Sequence, residues 1–281
     1  MHFKTIILVL LVAQPARSLR AQTQRPNAPG IADNSFLIEE AYNQEAGVVQ
    51  HISAFQRSLR NQEWSYTFTQ EWPVGGQRHQ LSFTVPVQRV ALAGGGFTGL
   101  GDIGLNYRYQ LLGAARRVAA APRLSIVVPT GNEKRALGSG GWGVQVNLPV
   151  SIALSSRLVT HWNAGATVTP AATNELGEEA GVHAYAFGGS IIWQARRTFH
   201  VLWETLWTRT EVITGPGQTH GEESITLNPG IRWAHNFPSG LQIVPGIALP
   251  IGLGPSRGER GLFFYLSVEH SFRRQAVRVE N

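Results

Sequence analysis

The 281-residue sequence predicts an all-β fold: a transmembrane, antiparallel, up-and-down β-barrel of about 12 strands, closed by pairing of the first strand with the last. Three observations carry that expectation. Apolar and polar side chains alternate with a period of two along segments of ten or so residues, which is how a ribbon with one oily face and one wet face reads. The breaks between these segments alternate between short and long, as they do when tight turns lie on one side of a membrane and longer loops on the other. Charged residues make up only 15 % of the chain and Gly is abundant at 31 residues. Apart from the extreme N-terminus, no apolar run is long enough to cross a bilayer as a helix.

At the N-terminus, Lys4, an apolar core from Thr5 to Ala13, Pro15 and small residues as far as Ala21 have the layout of a secretory signal peptide, assigned to residues 1–21. The chain has no Cys, which excludes lipoprotein processing and disulfide stapling. Residues 22–47 follow as a segment separate from the barrel. Gln22 to Asn34 is rich in Pro, Gln and Asn and reads as unstructured. Ser35 to Glu45 carries Phe36, Leu37, Ile38, Ala41 and Tyr42 in an order that alternates poorly for a strand. Two placements are open for it, a plug folded into the lumen or a cap on the periplasmic side.

The barrel is assigned to residues 48–272. Val48 to Ser58 mixes polar and apolar groups on both faces, whereas Glu63 to Trp72 sets Trp64, Tyr66, Phe68 and Trp72 outward against Thr67, Thr69 and Glu71. Gln80 to Arg89, Asp102 to Leu111, Ala120 to Thr130 and Gly141 to Leu154 keep the same period, the last with Trp142, Val144, Val146 and Leu148 against Gln145, Asn147 and Ser151. Leu158 to Thr169, Val182 to Trp193, Phe199 to Arg209, Ser224 to His235 and Leu241 to Leu253 follow. In Leu262 to Phe272, the closing strand, Leu262, Phe264, Leu266, Val268 and His270 share one face, and Phe263, Tyr265, Ser267 and Glu269 the other. Short breaks are expected at Pro73 to Arg78, Leu112 to Val118, Ser155 to Arg157, Gln194 to Thr198 and Asn236 to Gly240. Long ones are expected at Ala91 to Gly101, Gly131 to Gly140, Ala171 to Gly181, Val212 to Glu223 and Gly254 to Arg260; the first hairpin, near Leu59 to Gln62, is short where a long loop is due. Trp64 and Trp72 lie eight residues apart on one face, which at about 3.3 Å per residue and a tilt near 40° separates them by roughly 20 Å along the membrane normal, the spacing of two interfacial girdles. Prolines 86, 129, 149, 229, 245 and 250 fall inside these segments and remove ladder donors, so bulges are expected there. Residues 273–281 form a C-terminal tail.

The net charge of +6 comes with two lysines only, Lys4 and Lys134. Arginine pairs at Arg116-Arg117, Arg196-Arg197 and Arg273-Arg274 fall in turns or beyond the last strand. That suits a ring of charge at one membrane face, and no nucleic-acid partner is expected. Nucleophilic catalysis needs a Ser beside a His; His51-Ile52-Ser53 puts both on one face of the first strand, but no Asn or Asp stands by to orient the imidazole, so no catalytic residue is assigned. His161, His183 and His200 show no metal-ligand spacing, and the Gly94-Gly95-Gly96 run lacks the lysine and helix of a phosphate loop; neither a metal nor a cofactor is expected. What remains is the lumen. Glu63, Glu71, Asp102, Arg108, Arg123, His161, His200, Glu204, Arg232 and Glu269 all take the inward phase, and in a bore of this size opposed Arg and Glu side chains either line a narrow wet path or knit it shut.

The stretch Asn34-Ser-Phe-Leu-Ile-Glu-Glu-Ala-Tyr-Asn-Gln-Glu-Ala-Gly-Val-Val-Gln-His-Ile52, followed by paired strands ending in an aromatic one, resembles the MetA-pathway of phenol degradation family of bacterial outer-membrane proteins. The resemblance covers most of the mature chain and implies a cell outer-membrane channel for hydrophobic or aromatic small molecules, with no family catalytic residues to carry over. Expected partners are outer-membrane lipid, the barrel assembly machinery and a small-molecule solute. A non-conducting structural barrel, its lumen closed by its own side chains and by Ser35 to Glu45, and a lipid hydrolase acting through Ser53 are the alternatives.

Overall fold

The computed structural model describes residues 30–31, 35–92, 95–113 and 117–272. The expected signal peptide, residues 22–29 and 32–34, Gly94, Arg116 and the tail 273–281 with its Arg273-Arg274 pair lie outside the described residues.

Sixteen β-segments follow one another: β1 Val48–Ser58, β2 Trp64–Val74, β3 His79–Leu92, β4 Gly95–Leu100, β5 Ile103–Tyr109, β6 Val118–Ala120, β7 Arg123–Val128, β8 Gly143–Ala153, β9 Leu158–Thr173, β10 Glu179–Arg196, β11 Phe199–Gly215, β12 Gln218–Trp233, β13 His235–Asn236, β14 Gln242–Ala248, β15 Ile251–Leu253 and β16 Gly261–Ser271. Neighbours pair antiparallel around a closed ring of twelve strands, in the order β1, β2, β3, β5, β7, β8, β9, β10, β11, β12, β14, β16, and β16 returns to β1. The closing ladder runs without a slip from Val48 opposite Ser271 to Ser58 opposite Gly261. We call the end that holds Val48 and Ser271 the proximal rim and the opposite end the distal rim.

Twelve strands become sixteen segments because four are interrupted, and each interruption lies across from a proline. Pro86 in β3 faces the gap between β4 and β5, where Gly101 N–H donates to Pro86 O (2.9 Å). Pro149 in β8 faces the gap between β6 and β7, and Ala121 N–H donates to its carbonyl (3.2 Å). Pro229 in β12 faces the gap between β14 and β15, with Leu249 N–H on its carbonyl (3.0 Å). Pro245 in β14 stands across from Trp233, beside the gap between β12 and β13. A proline carbonyl can still accept but its nitrogen cannot donate, so the partner strand loses one rung and restarts two or three residues on. Of the six prolines expected inside strands, the other two, Pro129 and Pro250, lie just outside them, while Pro73 and Pro170 fall near the ends of β2 and β9.

Three expected long loops are corrected. Val212 to Glu223 and Ala171 to Gly181 are strand for most of their length: β9 to β12 run 16 to 18 residues, joined at the distal rim by a turn at 216–217 and another at 174–178. Ala91 to Gly101 is likewise a hairpin of β3 with β4. Polarity misled the reading because a ribbon that rises beyond the hydrocarbon can be polar on both faces and still pair, as Thr210 does with Glu222 and Ile213 with Thr219. The loop at 129–142 is the long unpaired one, with a 3-10 turn at Glu133–Arg135.

Burial separates the two faces. On β16, Phe263 and Tyr265 are 3 % exposed while their neighbours Phe264 and Leu266 are 45 % and 41 % exposed. On β8, Val144, Val146 and Leu148 stand out together with Trp142 just before it, and Asn147 and Ser151 are buried. No helix among the described residues is long and apolar enough to cross a membrane; the exposed apolar belt belongs to strands. A charge placed in that belt costs about 2–4 kcal/mol near the bilayer midplane. Val146→Arg should therefore lower stability by that amount in urea unfolding from liposomes, while Val146→Leu should leave it unchanged within about 0.5 kcal/mol.

Candidate functional site

In its proximal half the inward face encloses a stretch of the chain itself. Gly30 and Ile31 sit at the proximal rim, where Ile31 N–H donates to Arg197 O (2.9 Å) and Gln242 donates to Gly30 O (3.3 Å). Residues 35–44 lie inside the ring, all of them buried, and return to the proximal rim at the start of β1. Such a segment makes no ladder of its own, so its backbone groups need partners from the wall.

The wall supplies them in two halves. Phe36, Leu37 and Ile38 direct three consecutive N–H groups at Glu204 Oε1 on β11 (2.9, 2.8 and 3.2 Å), and Asn228 on β12 donates to Glu204 Oε2 (2.8 Å). One carboxylate thus answers three donors in a row, a concentration of charge-assisted hydrogen bonds that neutral acceptors would not match. The three side chains pack among Ile52, Ala54, Ile192, Leu202, Leu206, Ala248, Phe263 and Tyr265, an apolar core inside the barrel. Glycines make the seat: a Cβ on Gly246 would come 2.5 Å from the Phe36 ring, one on Gly230 2.6 Å from it, and one on Gly188 2.6 Å from Ile38 Cδ1.

The other half is polar. Arg123 on β7 grips Glu39 with Nε at 3.0 and 3.1 Å from its two carboxylate oxygens and Nη2 at 2.6 Å. Asn163 on β9 accepts from Glu39 N–H (2.7 Å) and donates to Glu39 O (2.6 Å). Ser151 on β8 accepts from Ala41 N–H (2.9 Å) and lies 2.6 Å from His161 Nδ1, whose Nε2 is 3.8 Å from Glu40. Arg108 on β5 donates to Asn43 Oδ1 (2.9 Å), Glu40 O (3.3 Å) and Tyr42 O. Gln110 and Gln80 accept from Asn43 N–H (2.8 Å) and Gln44 N–H (2.6 Å). Acidic Glu204 therefore collects N–H groups where basic Arg108 collects carbonyls, each charge matched to the backbone polarity it faces.

Of the ten lumen candidates, Arg108, Arg123, His161 and Glu204 contact the inner segment in these ways. Glu71 is buried beside them, accepting from Gln80 (2.9 Å) with Arg108 Nη2 at 4.0 Å. Arg232 and His200 pair with each other (Nη2 to Nδ1 3.1 Å), and Glu269 is buried on β16 opposite Gln50 and Gln242. The remaining two lie at the distal rim. Asp102 accepts from Gly131 N–H (2.9 Å), Ser139 N–H (2.7 Å) and Ser139 Oγ (2.7 Å), tying down the 129–142 loop. Glu63 immediately precedes β2, where its carboxylate accepts from Asn61 (2.6 Å) and Ala91 N–H (3.0 Å), and partial burial raises its carboxyl above the ordinary range. Sequence reasoning passed over Asn163, Asn228, Ser151, Gln80 and Gln110 because they are uncharged; their inward phase was the available signal. His51 and Ser53 face outward and diverge, with His51 Nε2 3.1 Å from His270 Nε2 and Ser53 Oγ 3.1 Å from Tyr66 OH.

No family model matches the chain, and no curated protein matches it. Solved structures match in fold. The COG4313 outer membrane channel from Pseudomonas putida F1 superposes with a TM-score of 0.57 at 14 % identity, over 83 % of this chain and 98 % of that one. The NanC porin matches with a TM-score of 0.49 at 9 % identity (80 % and 99 %), and the CymD monoaromatic hydrocarbon channel with 0.46 at 9 % (83 % and 90 %). The barrel architecture is thus one that an outer-membrane channel also has.

Glu204 is the anchor whose loss the inner segment should feel most, since each buried N–H left unsatisfied costs about 1–3 kcal/mol. Because the chain has no cysteine, a single Leu37→Cys reports release of the segment. Labelling by a membrane-impermeant maleimide should be slow in that background and at least about tenfold faster once Glu204→Ala is added, a factor corresponding to about 1.4 kcal/mol.

Proposed function

We propose that this chain is an outer-membrane channel for small solutes, held shut in the described state by its own residues 35–44. One observation carries the reading: the segment in the bore is bound to the wall through side chains, without joining the sheet, so it can leave while every rung of the barrel stays paired. In this reading residues 1–21 are a cleaved signal peptide, the barrel assembly machinery inserts the mature chain, and the proximal rim faces the periplasm. The apolar outer belt and the polar lumen support a place in outer-membrane lipid. The N-terminal resemblance to the MetA-pathway of phenol degradation family supports hydrophobic or aromatic small molecules as the solutes.

Complete burial of residues 35–44 favours a second reading, a structural barrel that never conducts. Planar-bilayer recordings separate the two. Deleting residues 35–44 should turn a mostly silent protein into one with stable conductance steps, and Gly246→Ala, which crowds Phe36 while keeping every polar anchor, should give intermittent openings. A deletion variant that keeps the heat-modifiable migration of a folded barrel yet never conducts would decide for the structural barrel.

A further inference from the structure

Above the inner segment, the distal half of the lumen holds a cavity of about 170 Å³. Its wall is built largely of Thr, Ser, Asn, Gln, Ala and Gly, and three charged side chains reach it: Glu39 and Arg123 at the floor and Asp102 near the rim. Asp102 is committed to the 129–142 loop by three donors. The floor pair is different in kind, because it joins a part that can leave to a part that cannot.

Arg123 does not depend on Glu39 for its position. Its Nη1 donates to Asn106 (3.2 Å) and to Ser125, and its Nη2 to Gln145 (2.8 Å), all three on strands of the wall. If Glu39 withdraws, the guanidinium stays where it is, aimed into the cavity and short of an anion. A buried charge without its partner is costly, and the group best fitted to replace a carboxylate on a guanidinium fork is another carboxylate.

We propose that this cavity is a binding site for a small monocarboxylate, which takes the place of Glu39 on Arg123 and so frees the apex of the inner segment. The exchange conserves charge and hydrogen-bond geometry at Arg123, and a neutral amide of the same shape cannot make it. Space suffices for an aromatic acid, since a cavity of roughly 150 Å³ holds a benzene ring. The ligand binds the released state alone, so by linkage whatever loosens Glu39 must also tighten the ligand. This inference rests on the channel reading and deepens it by naming a substrate class.

The test uses the full chain, with benzoate as probe and benzamide as its neutral counterpart. In planar bilayers, millimolar benzoate should raise open probability on the order of tenfold, a common size for such coupling, and benzamide should leave it unchanged. Glu39→Gln should raise basal opening and lower the benzoate concentration needed for half effect. Arg123→Lys, which keeps the charge and loses the fork, should blunt the response, and Arg123→Gln should abolish it; heat-modifiable migration verifies that each variant is folded. Equal responses to the two probes, or none to either in a protein whose 35–44 deletion conducts, overturn the site and leave the channel reading standing. If the deletion never conducts, the channel reading falls, and labelling of Ala41→Cys, buried in the half that Glu39 belongs to, judges the site by itself: faster labelling with benzoate but not benzamide supports it, and no acceleration removes it.

Discussion

Hydrocarbon offers no hydrogen bonds, and that single constraint shapes the molecule. Every strand that crosses oil must have both edges occupied, so the first strand must find the last. Here β1 lies between β2 and β16 with a continuous ladder on each side. The same constraint explains how four prolines are tolerated. Each removes one donor, and the chain answers by interrupting the strand opposite while leaving the proline carbonyl engaged or the neighbouring rungs intact. The ring is maintained by local breaks, none of which opens a seam.

Closing the sheet transfers the problem to its interior. A segment lying in the bore has as many backbone donors and acceptors as a strand but no edge to pair with, so side chains on the wall must meet them. Glu204 and Arg108 do part of this with opposite charge, neutral amides and a serine do the rest, and Asn163 serves both polarities of a single residue, Glu39. These bonds are individually replaceable by water, whereas the rungs of a ladder are not when oil lies on the other side. The inner segment is therefore the part of the lumen that can move without breaking a ladder, and the wall is the part that cannot.

Much of this was legible in the sequence, for reasons specific to each feature. Period two identified β8 and β16 because lipid demands apolar groups at every second position, as in Trp142, Val144, Val146 and Leu148. It failed above the membrane, where β11 and β12 continue through Thr210, Glu222 and His220 with no oil to enforce the pattern. Inward charges such as Arg123 and Glu204 could be named from their phase. Their partners could not, because residues 35–44 have neither helical nor strand periodicity and their placement depends on contacts some 35 to 170 residues away in sequence. Glycines 230 and 246 carry no signal of their own in the sequence; only the Phe36 ring lying against them gives their absence of a side chain a purpose.

The segment in the bore is divided as the wall is. Phe36 to Ile38 is held by apolar packing and one carboxylate on the side of β10 to β16 and β1, whereas Glu39 to Gln44 is held by amides, a serine and two arginines on the side of β3 to β9. Apolar packing strengthens with the area covered and is insensitive to an incoming solute's charge, while an ion pair is open to competition by another ion. The two halves therefore answer to different influences. On the proposed reading, an anion entering from the distal side reaches the Glu39–Arg123 pair before any other part of the inner segment, and the exchange there would detach the polar half while Phe36 remains in its glycine seat. Release then need not mean ejection: one half can serve as hinge and tether while the other yields, and the tethered segment is positioned to return when the anion leaves.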